Sequence, residues 1–320
     1  GGYLAVPGFV PAGLIADLTL VDVLGDPSLD LVLARLSPPA LVVYEGFGDG
    51  TFNPVAAAEI ATTEPLVVVR SHDLDLDGRK DIVALGFDSL LTVFMNRAGQ
   101  PLQGSNLLVQ NAPRDVGFGR FNADAFPDMV TINEGNSDFS VVTSVLSGVY
   151  TVAARGVTSL PGASRVEVAD FNSDGVDDFC VVASGTRSVG IHLNTGTPED
   201  PLFRFSPPIQ YELVDTAIDL AVPDLDGDGT PDLIGLDGAA DVVVVRQSDP
   251  FGEAGGSSAA ITVDDAVSPR RVEVWSDAEF AHDLRLTREP EQVVLPLVKV
   301  GTGIFEAYDT VPPGLDVTYV

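Results

Sequence analysis

Cysteine, lysine, tryptophan and histidine are all scarce in this chain. The one cysteine in 320 residues, Cys180, excludes an intrachain disulfide framework and a thiolate metal cluster. Its neighbours Phe179, Val181 and Val182 are apolar, so it reads as a small buried hydrophobe. Only two lysines occur, and the 17 basic residues face 47 acidic ones, a formal charge of −30. That balance argues against nucleic acid and against an anionic lipid surface, because phosphate contacts need clustered Lys and Arg. Cations are the natural partners. No apolar run approaches the roughly 20 residues of a membrane-spanning helix, so no membrane insertion is expected. The Gly1-Gly2 start lacks the charged and apolar regions of a signal peptide, which is read as a removed leader or a start inside a longer chain.

Catalytic apparatus is equally thin. The three histidines, His72, His192 and His282, fall in different stretches, and none lies near a nucleophile motif such as G-x-S-x-G. Catalysis needs an acid, base or nucleophile held apart from structural duty, so the chain is read as a non-enzyme. Isolated carboxylates such as Glu45 and Glu167 leave a glycosidase as the minor alternative.

What is present is a repeat. The 45% hydrophobic content suffices for a substantial core, and aspartate clusters punctuate it at intervals of about fifty residues. Three copies are intact. In them Asp73, Asp75, Asp77 and Asp81, then Asp170, Asn172, Asp174 and Asp178, then Asp224, Asp226, Asp228 and Asp232 occupy positions 1, 3, 5 and 9. Two copies are degraded: Asn122, Asp124 and Asp128 follow Arg120 at position 1, and Leu24 stands at position 3 among Asp22, Asp26 and Asp30. Each cluster lies between two apolar or alternating runs of four to eight residues, for example Leu66 to Val69 and Ile82 to Leu85. Such runs bounded by Gly, Asp and Asn read as strands. A third run follows in every unit (Leu41 to Tyr44, Leu90 to Phe94, Phe139 to Val145, Ser188 to Leu193, Asp241 to Val245) and a weaker fourth in most. Four short strands per repeat is the pattern of a propeller blade.

Carboxylates at alternate positions of a tight turn repel by roughly 4 kcal/mol per pair at 4 Å and an effective dielectric near 20, so the loop calls for a counterion. All-oxygen donors, with a backbone carbonyl at position 7 and glycine at position 6 in three copies, suit Ca²⁺ before Mg²⁺. The absence of His and Cys from these positions disfavours transition metals. An EF-hand is excluded because position 12 falls on Ala84, Val181 or Gly235 inside a strand. The plainer alternative, polar turns whose Asp and Asn side chains satisfy their own backbone, stays open, above all for the two degraded loops.

With these loops in view, the sequence resembles the FG-GAP or VCBS repeats of integrin alpha-subunit-like β-propellers, whose inter-strand loop reads DxDxDGxxD. The segment Gly46-Phe47-Gly48-Asp49-Gly50-Thr51-Phe52 is similar to the family's turn after the third strand. The resemblance spans roughly residues 12 to 250 and implies calcium on the three intact sets, about three to five ions if the degraded loops also bind. Arg120 and Leu24 depart from it, and Arg120 would set its own guanidinium in place of an ion.

The expected architecture is therefore all-β: a β-propeller of about five four-stranded blades over 1–250, a linker at 251–258 and a small, incomplete immunoglobulin-like β-sandwich over 259–320. Either Tyr3-Leu4-Ala5-Val6 or Ala259-Ala260-Ile261-Thr262-Val263 supplies the strand that completes the last blade. The expected function is a secreted, extracellular or cell-surface adhesion and interaction module for a protein or glycan ligand. The alternatives are a structural subunit that binds copies of itself in a filament or surface layer, and less favoured, a lectin.

Overall fold

The computed structural model describes residues 10–158, 160–183, 188–196, 204–213, 217–225, 227, 229–237, 242–246 and 248. From 259 onward it describes only the backbone of strands within 259–264, 270–276, 286–289, 293–295, 298–301, 304–309 and 318–319. No helix occurs among the described residues. The chain divides into two compact units, Gly1–Val166 with Asn194–Pro207 and Glu167–Leu193 with Pro208–Val320.

The first four sheets are antiparallel and follow chain order. The first comprises β1 (Leu14–Val21), β2 (Asp30–Ser37), β3 (Ala40–Tyr44) and β4 (Ala58–Ala61). The second comprises β5 (Leu66–His72), β6 (Asp81–Gly86), β7 (Leu90–Phe94) and β8 (Gly104–Leu108). The third comprises β9 (Pro113–Gly119), β10 (Asp128–Asn133), β11 (Asp138–Leu146) and β12 (Val149–Val157). The fourth comprises β13 (Ala163–Ala169), β14 (Asp178–Ala183), β15 (Ser188–His192) and β16 (Ile209–Glu212). A fifth opens with β17 (Ala217–Ala221), β18 (Leu233–Asp237) and β19 (Val242–Arg246). In each, the Asp cluster joins the first strand to the second, as the flanking runs imply.

Position in the sheet explains the sequence texture. The second strands β6, β10 and β14 are buried along their whole length, and after their leading aspartate β6 and β14 carry unbroken apolar runs such as Ile82-Val83-Ala84-Leu85. The outer strand β12 alternates exposed and half-buried residues, the period-two signature of a strand with one face on the core. Core formation is local. Val32, Leu41 and Val43 of the first sheet pack with Leu66, Ile82 and Phe94 of the second. Val83, Leu91 and Val93 pack with Val116, Met129 and Val142 of the third. In the second unit Cys180, Val189 and Ile191 pack with Leu220, Leu233 and Val244, so Cys180 is the buried hydrophobe expected, and burial pushes its thiol up.

Two features needed the structure: which of the two expected donors completes the last sheet, and an ion network between strands. The strand β20 (Ala259–Asp264) pairs with β19, Val245 opposite Ile261, and so forms the fourth strand of the fifth sheet. Backbone pairing then continues through β21 (Arg270–Ser276) to Ile304–Asp309 and Val298–Gly301, which carries one seven-stranded sheet across the boundary expected at 251–258. Strands Val293–Leu295, Leu286–Glu289 and Thr318–Tyr319 form a separate sheet. Tyr3 to Val6 and the linker itself lie outside the described residues.

The second feature is an ion network across the first strands. Arg70 of β5 donates from Nη1 to Asp17 Oδ2 of β1 at 2.5 Å and from Nη2 to Asp115 Oδ1 of β9 at 3.0 Å. Asp115 is almost wholly buried, and burial raises its carboxyl against the pull of Arg70 and Arg165. Arg70→Ala leaves that carboxylate uncompensated, and losing one partner of a buried pair costs about 3–5 kcal/mol, reduced here towards about 2–3 because Arg70 is a third exposed. Urea unfolding is expected to show this loss at pH 7 and a smaller one in acid, where the carboxyl that burial has raised gives up its charge.

Candidate metal centre

The Asp loops are built by left-handed backbone. In the intact loops position 6 is Gly78, Gly175 or Gly229 with φ of +89°, +87° and +91°. A Cβ at any of these would meet nothing within 4 Å, so the glycine answers the dihedral and not a lack of space. Position 4 is left-handed as well: Leu76 at +59°, Ser173 at +58° and Gly227 at +79°. The degraded loops place Pro27 and Ala125 at position 6 and lose this geometry there.

Position 1 then turns inward on the loop's own N–H groups. Asp73 accepts from Asp77 N at 3.2 Å and Gly78 N at 2.9 Å, and Asp170 from Asp174 N at 3.1 Å and Gly175 N at 2.8 Å. Asp224 accepts from Gly227 N and Gly229 N, and Asp22 from Gly25 N. At position 5 the carboxylate caps the residue two further on: Asp26 accepts from Ser28, Asp77 from Arg79, Asp124 from Phe126 and Asp174 from Val176. These are the self-satisfying turns of the plainer alternative, and they coexist with a gathering of acids. Asn122 and Asn172 at position 3 both accept from the N–H two residues on.

Position 9 behaves differently from all the others. Asp30, Asp81, Asp128, Asp178 and Asp232 are fully buried in every copy, degraded or intact. One oxygen accepts from the start of the loop: Val23 and Leu24 on Asp30, Leu74 on Asp81, Phe121 on Asp128, Phe171 on Asp178, Leu225 on Asp232. The other accepts from the chain at the end of the third strand or just past it: Gly46 on Asp30, Asn96 on Asp81, Ser144 on Asp128 and Ser248 on Asp232. Sequence reasoning took position 9 for a metal ligand and missed this structural role. The signal was available, since positions 5 and 9 alone carry Asp in all five copies, and only position 9 runs straight into a buried strand.

Ligand atoms converge in the second loop. One oxygen each from Asp73, Asp75 and Asp81 lie within 4.8 Å of one another. The side chain of Asp75 is 6% exposed; its Oδ2 sits 3.3 Å from Arg97 Nε, and its buried Oδ1 has no hydrogen-bond partner. Three gathered carboxylates, one of them with a buried oxygen that accepts no hydrogen bond, form an all-oxygen donor set for a hard cation, so the residues present fit Ca²⁺ or Mg²⁺. Asp77 stays exposed and outside this trio. Among the described residues no second trio forms: Asp170, Asp174 and Asp178 do not converge, nor do Asp22, Asp26 and Asp30. Asp226 and Asp228 lie outside the described residues. Arg120 is exposed.

The segment after β3 closes as expected of its glycines: Gly46 bridges Phe52, Phe47 N donates to Thr51 O at 3.0 Å, and Gly48 and Gly50 take φ of +74° and +89°.

Comparison with known proteins agrees with this geometry. A family model described as an FG-GAP-like repeat matches residues 22–84 and 170–235. The chain carries FG-GAP-like repeats. The first match spans the degraded first loop and the intact second, and the other spans the intact fourth and fifth. No curated protein matches the chain. Among solved structures, BBS1N in a crystal with ARL6DN soaked with lead is similar at 11% identity and a TM-score of 0.52, with 94% of each chain covered. A mercury-soaked crystal of the same pair is similar at 11% identity and a TM-score of 0.48, covering 94% of this chain and 93% of that one. The first likeness bears on the fold alone: small antiparallel sheets of FG-GAP repeats in a β-propeller-like arrangement.

The buried position-9 acids carry an electrostatic cost. Burial lifts Asp81 to about 6, with Asp75 and Asp77 adding to the rise while the Asn96 and Leu74 N–H groups oppose it. Burial likewise lifts Asp128 to about 7, opposed by Ser144 N–H. Both folded values lie above the ordinary 3.8, so the stability they contribute is complete below that value and is lost as pH rises through 6 to 7. Metal-free protein should therefore melt at a higher temperature at pH 5 than at pH 8, and Asp128→Asn should shrink that difference, as differential scanning calorimetry would register.

Proposed function

We propose that the chain is a calcium-stabilised, five-bladed β-propeller acting outside the cell as a rigid interaction module that presents its loops to a protein or glycan ligand. The observation that carries this reading is the convergence of Asp73, Asp75 and Asp81, together with the buried Oδ1 of Asp75 that accepts no hydrogen bond. Three carboxylates so close are held at a repulsive cost that a divalent ion would offset, and extracellular calcium is abundant enough for sites with dissociation constants of about 10⁻⁴–10⁻³ M. The fourth strand that β20 adds to the fifth sheet supports a count of five complete blades. The antiparallel strands after Asp264, split between two sheets, support a small immunoglobulin-like sandwich as the accessory element.

Asp73, Asp75 and Asp81 would hold the ion; when bound, it supplies charge neutralisation and cross-links the loop to the second strand. Asp170, Asn172, Asp174 and Asp178 and the fifth loop would close around ions of their own. At 100 times its dissociation constant each ion adds about 2.7 kcal/mol to stability. Calorimetric titration with calcium should return at least one site, and the melting temperature should fall on adding EGTA. Asp75→Asn should weaken the first site at least tenfold while the protein stays folded. A melt indifferent to EGTA would overturn the metal reading.

A second reading, a structural subunit of an extracellular filament or surface layer, draws on one observation: Leu14, Leu18 and Leu20 stand exposed along one side of β1. Contiguous exposed apolar side chains mark surfaces that seek cover. Light scattering of the purified protein separates the two, since ordered oligomers without any ligand favour the subunit and a monomer favours the interaction module.

A further inference from the structure

A cavity of about 290 Å³ opens between the first and second sheets, beside the first Asp loop. Its walls are apolar: Val43 of β3, Ile60 of β4 and Leu102 in the connection leading to β8. Leu24 and Gly25 of the first loop close one side, and Asn96, Arg79 and Arg97 line another. The floor is pinned, because Asn96 Nδ2 donates to Asp22 O at 2.7 Å and to Lys80 O at 3.2 Å, tying the first loop to the second sheet.

The two arginines differ. Arg97 already lies 3.3 Å from Asp75. Arg79 pairs with no acid among the described residues, and its Nη1 reaches over Gly25, 3.8 Å from where a Cβ would stand there. Position 3 of the first loop, where the second loop has Asp75, is Leu24, so the loop adds an apolar side chain to the cavity and no acid to pair with Arg79. In a chain with 47 acidic and 17 basic residues, an arginine without a carboxylate at the mouth of an apolar cavity is a local reversal of sign. A guanidinium presents parallel N–H donors that match a carboxylate, and leaving it unpaired against apolar walls costs free energy that an incoming carboxylate recovers.

We propose that this cavity binds a small organic carboxylate, its carboxylate on Arg79 and its compact hydrocarbon body against Val43, Ile60 and Leu102. A phosphate would bring more charge and more acceptor oxygens than Arg79 alone can match while Arg97 is held by Asp75. The volume lies at the lower limit of ligand pockets, about 300–1,000 Å³, which favours a molecule of a few carbons over a length of peptide.

The test is titration of the full chain, in calcium-containing buffer, with hexanoate, 1-hexanol and hexylammonium, followed by ligand-observed NMR. Hexanoate is expected to bind in the millimolar range, the alcohol at least fivefold more weakly and the amine not at all. Arg79→Ala should weaken hexanoate at least tenfold and Arg79→Lys less. The neighbouring Lys80→Ala, which alters an exposed charge outside the cavity, should leave binding unchanged; thermal melts establish that each variant is folded. Equal binding of hexanoate and hexanol, or equal losses in Arg79→Ala and Lys80→Ala, would overturn the proposal. So would a short peptide with an aliphatic C-terminal residue binding where hexanoate does not.

Discussion

The ninth aspartate of each loop sits fully buried at the head of the second strand of its sheet, where a carboxylate survives only by collecting N–H donors. Asp81 takes Leu74 N on one oxygen and Asn96 N on the other, and Asp30, Asp128 and Asp232 repeat the arrangement. Each such residue therefore ties three points of its repeat together: the loop entrance, the second strand and the exit of the third strand. A short polar side chain with two acceptor oxygens is what this geometry needs; a longer acid would not reach both donors from the same place, and an amide would present a donor to one of them. The rest of the loop is free to vary once that knot is tied, which is why Arg120 and Leu24 are tolerated in loops that keep their fold.

The same loops join one repeat to the next. Asn96 of the second sheet donates to Asp22 O, Tyr150 of the third donates to Leu74 O at 3.0 Å, and Asn194 donates to Phe121 O at 3.0 Å. Burial, together with the nearby Asp81 and Asp75, pushes the Tyr150 hydroxyl up and so keeps it a neutral donor. The acidic loop is thus a joint between sheets, and Asp81 belongs both to the buried knot and to the acidic trio with Asp73 and Asp75. A cation there would stiffen the place where successive repeats meet, a sound design for a scaffold whose core is divided into separate clusters between neighbouring sheets.

Much of the fold was legible because the repeat makes one argument five times. The continuous apolar runs after the second and fourth aspartate clusters became the wholly buried strands β6 and β14, and the run Leu90 to Phe94 became β7 at the expected limits. The site was legible in chemistry but less so in role. Alternating carboxylates mark an acidic, all-oxygen turn from sequence alone, whereas the division of labour, with position 5 capping its own turn and position 9 knotting the repeat, depends on which N–H groups folding brings near. Asp17, Arg70 and Asp115 could not be read at all, since ion pairs between strands about fifty residues apart leave no local pattern.

By itself the sequence determined the β class, the four-strand repeat, the all-oxygen loops and the fate of Cys180, because each follows from local periodicity, turn chemistry or residue type. Tertiary structure alone decided that β20 pairs with β19 across a Gly- and Ser-rich stretch, that Asp73, Asp75 and Asp81 converge while Asp77 does not, and that Arg79 faces an apolar cavity. Those outcomes rest on register and on close approach between distant segments, and the free energy of such contacts belongs to the pair brought together and to neither stretch of chain alone.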